Sequence, residues 1–130
     1  MMKKLLPILF GIIFCFASSV RAEELKAGKK TPVNETTWFV YQFTERPKVG
    51  DVIMKVTISD QETRPIKVFA HYDMPSMRGH HDSGKVEFKR NRTQDYVLPI
   101  HFAMPGEWEI ILTFEENGQE IYQGAVNLEI

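Results

Sequence analysis

Apolar and polar residues alternate along most of this sequence, and no segment sustains the 3.6-residue period of an amphipathic helix. Successive side chains of a strand point to opposite faces, so alternation with a period of two is typical of strands that bury one face. Turn residues separate the alternating segments. The pattern predicts seven strands, at 37–44, 51–59, 65–72, 85–89, 95–102, 108–114 and 120–130. Short strands at this spacing predict an all-β fold, an antiparallel immunoglobulin-like β-sandwich.

The N-terminal 22 residues have the pattern of a secretory signal peptide. Lys3 and Lys4 precede an apolar run at 5–16, and a cleavage-site pattern ends at Ala22. The run is too short to span a hydrocarbon layer of about 30 Å as a helix. We therefore predict a cleaved leader at 1–22, a flexible segment at 23–36 and one β-sandwich domain at 37–130, in the periplasm or secreted. No transmembrane segment is expected after cleavage, and an uncleaved anchor is the alternative.

Cysteine content and charge exclude several classes of function for the mature chain. Cys15 is the only cysteine and lies in the predicted leader. Without it, the chain can form no disulfide, no thiolate zinc site and no blue-copper centre. Removing Lys3, Lys4 and Arg21 with the leader leaves 13 basic residues against 17 acidic ones. This acidic balance argues against nucleic acid as a partner.

Histidine and methionine are concentrated in one part of the chain. All four histidines lie between His71 and His101, and three of the four methionines that follow the leader are Met74, Met77 and Met104. Thioethers suit soft Cu(I), whereas imidazoles suit Cu(II). In an antiparallel sandwich, the connections after the third and fifth predicted strands emerge at the same end, where loops often carry binding residues. The sequence therefore predicts a copper site at that end, with Cu(I) favoured and Cu(II) as the alternative.

Each candidate ligand also has a structural interpretation. The methionines would serve as flexible fillers at the top of the core. His80 and His81 follow Gly79 in a loop and would be solvated. His71 and His101 are out of phase with the apolar faces of their strands and would be sheet-surface residues, although their shared phase would let them face each other on one sheet. The candidate metal ligands are Met74, Met77, His80, His81, Met104, His71 and His101.

Two blocks of residues resemble the YtkA-like and FixH-like families of bacterial envelope domains. They are Met74-Pro75-x-Met77-x-x-His80 and Tyr96-x5-Phe102-x-Met104-x-Gly106-x-Trp108, and the resemblance covers about 52–114. It implies an immunoglobulin-like sandwich and, in several members, a link to copper handling in the cell envelope. Relatives often have Gly-His soon after the second methionine, whereas Arg78 intervenes in this chain. Such a cation would weaken a metal site unless it points to solvent or pairs with Asp73 or Asp82.

Together these features predict a periplasmic or secreted copper carrier or chaperone, with an envelope copper-handling protein or a membrane complex as its partner. An enzyme is not expected, because His81, Asp82 and Ser83 are contiguous and contiguous residues cannot adopt triad geometry. The alternative is a metal-free immunoglobulin-like interaction module of an envelope complex. Its contact stripe would be Phe39, Tyr41 and Phe43, and exposure of that stripe beside a buried methionine cluster would favour it.

Overall fold

The computed structural model describes residues 22–59 and 65–130, and the predicted leader lies outside them except for Ala22. Within these residues, ten strands and one short 3₁₀ helix are formed. The strands are β1 (Glu23–Glu24), β2 (Thr31–Pro32), β3 (Trp38–Phe43), β4 (Gly50–Ile58), β5 (Ile66–Asp73), β6 (Val86–Glu87), β7 (Lys89–Arg90), β8 (Tyr96–Phe102), β9 (Glu107–Glu116) and β10 (Gln119–Glu129). The 3₁₀ helix is Pro75–Met77. No helix in the described ranges has the length and apolar character needed to cross a bilayer.

The described strands form two five-stranded sheets that pack as a sandwich. The order is β1-β10-β9-β5-β6 in one sheet and β2-β3-β4-β8-β7 in the other. Neighbouring strands are antiparallel, except that β1 runs parallel to β10. Buried residues alternate with more exposed ones along β4, β8 and β9, as expected of strands with one face in the core. The predicted all-β sandwich is confirmed.

The predicted strand at 85–89 is two separate strands that belong to different sheets. β6 pairs with β5 in one sheet, and β7 pairs with β8 in the other. Phe88 lies between them, is 4% exposed, and donates its backbone N–H to the carbonyl of Val68 at 2.8 Å. The chain thus crosses between the sheets at this edge while the Phe88 side chain remains in the core. Alternation predicts the burial of Phe88 but not the change of sheet.

The segment expected to be a flexible tether, 23–36, contributes β1 and β2. Leu25 is 5% exposed, and its N–H donates to the carbonyl of Ala125 at 2.7 Å. The Tyr122 hydroxyl donates to the Glu23 carboxylate at 2.8 Å, which ties the start of β1 to β10. Among the described residues, sheet contacts therefore begin at Glu23, ahead of the predicted domain start at 37.

The aromatic residues of β3 point mainly into the core. Phe39 is fully buried and Tyr41 is 5% exposed. The Phe39 ring lies 4.5 Å from that of Phe114 across the sandwich. Phe43 is partly buried and packs against the same core. The stripe that an interaction module would have used as a contact surface is therefore mostly occupied by core packing.

Two of the longer connections lie at one end of the sandwich. Gly50, at the start of β4, is the register partner of Phe102 at the end of β8. Tyr72, near the end of β5, reaches the other sheet, where its hydroxyl accepts the His101 N–H at 3.4 Å. The chain after β5 (residues 74–85) and the chain after β8 (103–106) thus leave the sheets at the same end, which we call the loop end. This convergence was predicted from the strand order and is confirmed.

Candidate functional site

Trp108, the second residue of β9, is the centre of the loop end. It is 1% exposed, and its indole N–H donates to the carbonyl of Met104 at 3.0 Å. Its ring lies 5.4 Å from the ring of Phe102, 6.4 Å from that of Tyr72 and 5.9 Å from that of His81. A buried indole usually needs a partner for its N–H, and here that partner fixes the 103–106 loop. Trp108 therefore joins both loops to the core.

Met74 and Met77 lie at the two ends of one tight turn. Met74 precedes the 3₁₀ helix Pro75–Met77, and the Met77 N–H donates to the Met74 carbonyl at 3.0 Å. Pro75 stands at the first helical position, where its fixed φ suits the turn. The turn therefore holds two thioether side chains on a short, constrained piece of backbone.

The three methionines of the loop end differ in exposure. Met74 is 2% exposed and belongs to the core, whereas Met77 and Met104 are only partly buried against it. The methyl group of Met74 lies under the second loop, where a Cβ built on Gly106 would come within 2.7 Å of it. Met77 and Met104 are therefore more exposed than Met74 in this conformation.

Asp73, the last residue of β5, organises the turn that carries these methionines. Although Asp73 is only 5% exposed, its carboxylate accepts the N–H of Met74 at 2.8 Å and that of Gly79 at 3.0 Å. The hydrogen bond from Gly79 is the main reason that the pKa of Asp73 lies below its usual range, and the nearby Arg78 acts in the same direction. A charged carboxylate therefore holds both ends of segment 74–79.

Arg78, the residue that departs from the family pattern, has a carboxylate partner. Both of its terminal nitrogens donate to Oε1 of Glu109, at 3.1 and 3.2 Å. The partner lies on β9 and is neither of the two aspartates that the sequence suggested. This pairing offsets the positive charge beside the methionine turn.

The four histidines lie in different settings. His81 is partly buried against Trp108, and His80 is exposed. His71 is exposed and hydrogen-bonds Asp82, while Nδ1 of His101 lies 2.7 Å from Oδ1 of Asp51. His71 and His101 belong to different sheets and alternate with buried neighbours, so they lie on opposite outer faces. The expectation that these two could face each other on one sheet is wrong, because phase along a strand does not identify the sheet.

The structure thus brings the methionine turn, Met104 and His81 together around Trp108, whereas His71 and His101 lie on the outer faces of the two sheets. Within residues 22–59 and 65–130, no three His, Cys, Asp or Glu side chains are grouped so as to hold a metal ion. Sequence reasoning missed Asp73 as the organiser of the turn. The sequence pattern that could have identified this role is an aspartate directly before a proline-containing turn. Such an aspartate commonly accepts hydrogen bonds from nearby backbone N–H groups.

Acidic side chains give the loop end a negative rim. Glu107 and Glu129 are exposed and are direct register partners on β9 and β10. Like charges directly opposite each other in a ladder are destabilising, so their placement is not explained by the stability of the sheet. The two carboxylates border a groove that Trp108 and Pro75 also line.

Comparison with known proteins gives one match. No curated protein and no protein of solved structure matches the chain significantly. A sequence model described as YtkA-like matches residues 32–113, which is more than half of the chain. The matched range includes β3 to β8, most of β9, and both connections of the loop end. The chain therefore belongs to the YtkA-like family.

Proposed function

We propose that this protein is a copper-binding carrier or chaperone that takes up Cu(I) at the loop end. Membership of the YtkA-like family suggests an envelope domain, and this family is not a known class of enzyme. One observation carries the proposal: two methionine-bearing loops, which follow strands of different sheets, pack together at Trp108. The periplasm, or the exterior after secretion, is the compartment in which we place this function.

The partly exposed side chains form the proposed ligand set. Met77 and Met104 would supply thioether sulphur to Cu(I), and His81 or His80 would supply an imidazole nitrogen. Met74 would join only after its side chain leaves the core, because it is 2% exposed in this conformation. His71 and His101 stay outside the set, since each is held by an aspartate on an outer face. For Cu(II), His80 and His81 would be the main ligands.

The surroundings of the loops suit a site that exchanges its ion. Glu107 and Glu129 lie at the same end and attract cations without being proposed as ligands. Thioethers are neutral ligands, and those of Met77 and Met104 lie at the surface of the core. An ion held in this way would remain accessible to a second protein that offers soft ligands. That partner would be an envelope copper-handling protein or a membrane complex.

A nuclear magnetic resonance titration with methyl-labelled methionine tests this proposal residue by residue. Addition of Cu(I) should shift the methyl signals of Met77 and Met104 and saturate at one equivalent. Met54 is fully buried on β4 and provides an internal control whose signal should not move. If the four methionine signals outside the leader stay unchanged, copper does not bind at the loop end.

An exposed apolar pair favours the alternative function, a metal-free interaction module. Val49 and Ile53 are 49% and 43% exposed, and they lie just before and within β4. Such a surface would suit a protein partner even though the Phe39 and Tyr41 stripe is buried. The same titration separates the two functions, because an interaction module would respond to neither Cu(I), Cu(II) nor Zn²⁺.

A further inference from the structure

The carboxylate of Asp73 hydrogen-bonds the backbone of the methionine turn, and the following inference rests on the proposed function of that turn. We propose that Asp73 is a positioning residue, which sets the turn in its ligand-presenting conformation before any metal arrives. Asp73 itself touches no ion. Its effect would be exerted through the backbone that carries Met77 and His81.

The contacts of Asp73 close the turn from both sides. One carboxylate oxygen accepts the N–H of Met74 at 2.8 Å, and the other accepts the N–H of Gly79 at 3.0 Å. The N–H groups come from before and after the 3₁₀ helix, so the carboxylate spans the segment that contains Met77.

A carboxylate suits this task better than its closest replacement. The two oxygens of a carboxylate can each receive one of the two N–H groups, whereas an asparagine amide has one acceptor oxygen and would turn its N–H₂ group toward the other donor. Asp73 is also the register partner of Glu109, which pairs with Arg78 of the same loop. The loop is therefore attached to the sheet at Asp73 and again at Arg78, and the two attachments lie side by side.

The consequence for binding is a lower ordering cost. A ligand-bearing loop that is already held in place loses little conformational entropy when the ion binds. The His81 ring packs against Trp108, and the Trp108 indole N–H donates to the Met104 carbonyl. Trp108 therefore fixes the position of the loop after β5 relative to the loop after β8. Removal of the Asp73 clamp should therefore weaken metal affinity while leaving the ligand atoms unchanged.

The decisive comparison uses Asp73→Asn and, as its matched control, Asp51→Asn. Asp51 is an exposed aspartate at the same end of the sandwich and hydrogen-bonds His101 rather than a loop amide. Competition for Cu(I) against a coloured chelator should show affinity about 10- to 100-fold weaker for Asp73→Asn, as is typical when support of a metal ligand is removed, and unchanged for Asp51→Asn. X-ray absorption at the copper edge should show the same sulphur and nitrogen ligands in all three proteins. Equal affinity of folded Asp73→Asn and wild type would overturn the proposal.

A second measurement needs neither copper nor a variant that folds. In the metal-free wild-type protein, hydrogen exchange of the Gly79 amide, which donates to Asp73, should be slower than that of the exposed Arg92 amide in the 91–95 turn. Equal rates would show that the clamp does not hold and would overturn the positioning role. If the wild type binds no Cu(I) but the Gly79 amide is protected, the proposed function fails while the positioning of the turn by Asp73 is upheld.

Discussion

The imidazole of His81 packs against the indole of Trp108, with ring centroids 5.9 Å apart and planes inclined by 40°. This contact joins the loop that follows β5 to the first residues of β9. Through its N–H, the same indole donates a hydrogen bond to the carbonyl of Met104. One aromatic residue therefore relates a histidine and a methionine that are 23 positions apart in the sequence.

Removal of the His81 ring should expose Trp108 to water. We expect His81→Ala to shift Trp108 fluorescence to longer wavelength, measured in a Trp38→Phe background so that only one indole emits. His80→Ala is the matched control, because His80 is exposed and, among the described residues, it is His81 whose ring packs against Trp108. If both variants gave the wild-type spectrum, the His81 contact would not shield Trp108 in solution.

Replacement of the two partly exposed thioethers should remove most of the Cu(I) affinity. Leucine has nearly the volume of methionine, so Met77→Leu with Met104→Leu should cost less than about 1.5 kcal/mol of stability per site. We expect Cu(I) affinity to fall more than about tenfold, because leucine offers no donor atom. Met54→Leu makes the same change in the core and should keep full affinity. Equal losses in the two proteins would point to a general effect of methionine content.

The close approach of Gly106 to Met74 predicts a strained alanine variant. Gly106 has φ of +138°, and a Cβ there would lie 2.7 Å from the Met74 methyl group. Gly106→Ala should lower the free energy of unfolding by about 1–3 kcal/mol, from backbone strain and displacement of that methyl group. Gly118→Ala is the control, because Gly118 also has positive φ, +77°, but nothing within 4 Å of the added carbon. Urea unfolding measures both, and an equal cost at the two sites would contradict the predicted contact.

Acid should destabilise the loop end through its carboxylates. The pKa of Asp73 is lowered chiefly by the Gly79 N–H, and the pKa of Asp82 chiefly by the Gly84 N–H. A carboxyl group whose folded pKa is depressed stabilises the fold above its unfolded pKa of about 3.9, and this contribution is lost as pH falls toward the folded value.

We therefore expect the free energy of unfolding to decline below about pH 4, and to decline less steeply in Asp73→Asn than in the wild type. Urea unfolding between pH 7 and pH 3 provides the measurement. Asp51→Asn should keep the full decline, because Asp51 is exposed and hydrogen-bonds the His101 ring rather than the backbone of a loop. Parallel curves for wild type and Asp73→Asn would show that Asp73 is not held as a charged group.

The sequence allowed the sandwich and the position of the loop end to be predicted, because both follow from alternation and strand order. It did not distinguish Met74 from Met77, although one is 2% exposed and the other only partly buried. The burial of a methionine in a loop depends on the loop that packs against it, and for Met74 that loop contains Gly106. The periodicity of the sequence carries no information about such a contact. Likewise, the phase of His71 and His101 predicted their exposure but not their separation onto different sheets.

Other features were missed because they depend on contacts distant in sequence. The break at Phe88 reflects a change of hydrogen-bonding partner from β5 to β8, which residue pattern alone does not encode. Residues 23–25 are held in the sheet by pairing with β10, which lies about 100 positions later in the sequence. Arg78 forms its ion pair with Glu109 rather than with a nearby aspartate, because β9 lies beside β5 in the sheet.

A Cu(I) titration of the protein, without a histidine tag and against a coloured competing chelator at neutral pH, tests the central claim most directly. The proposed function predicts one equivalent of tightly bound Cu(I), removed from the chelator by the wild type and not by the protein that carries Met77→Leu and Met104→Leu. Failure of the wild type to compete, with Cu(II) and Zn²⁺ equally inert, would contradict a copper function and assign the methionines to packing of the loop end.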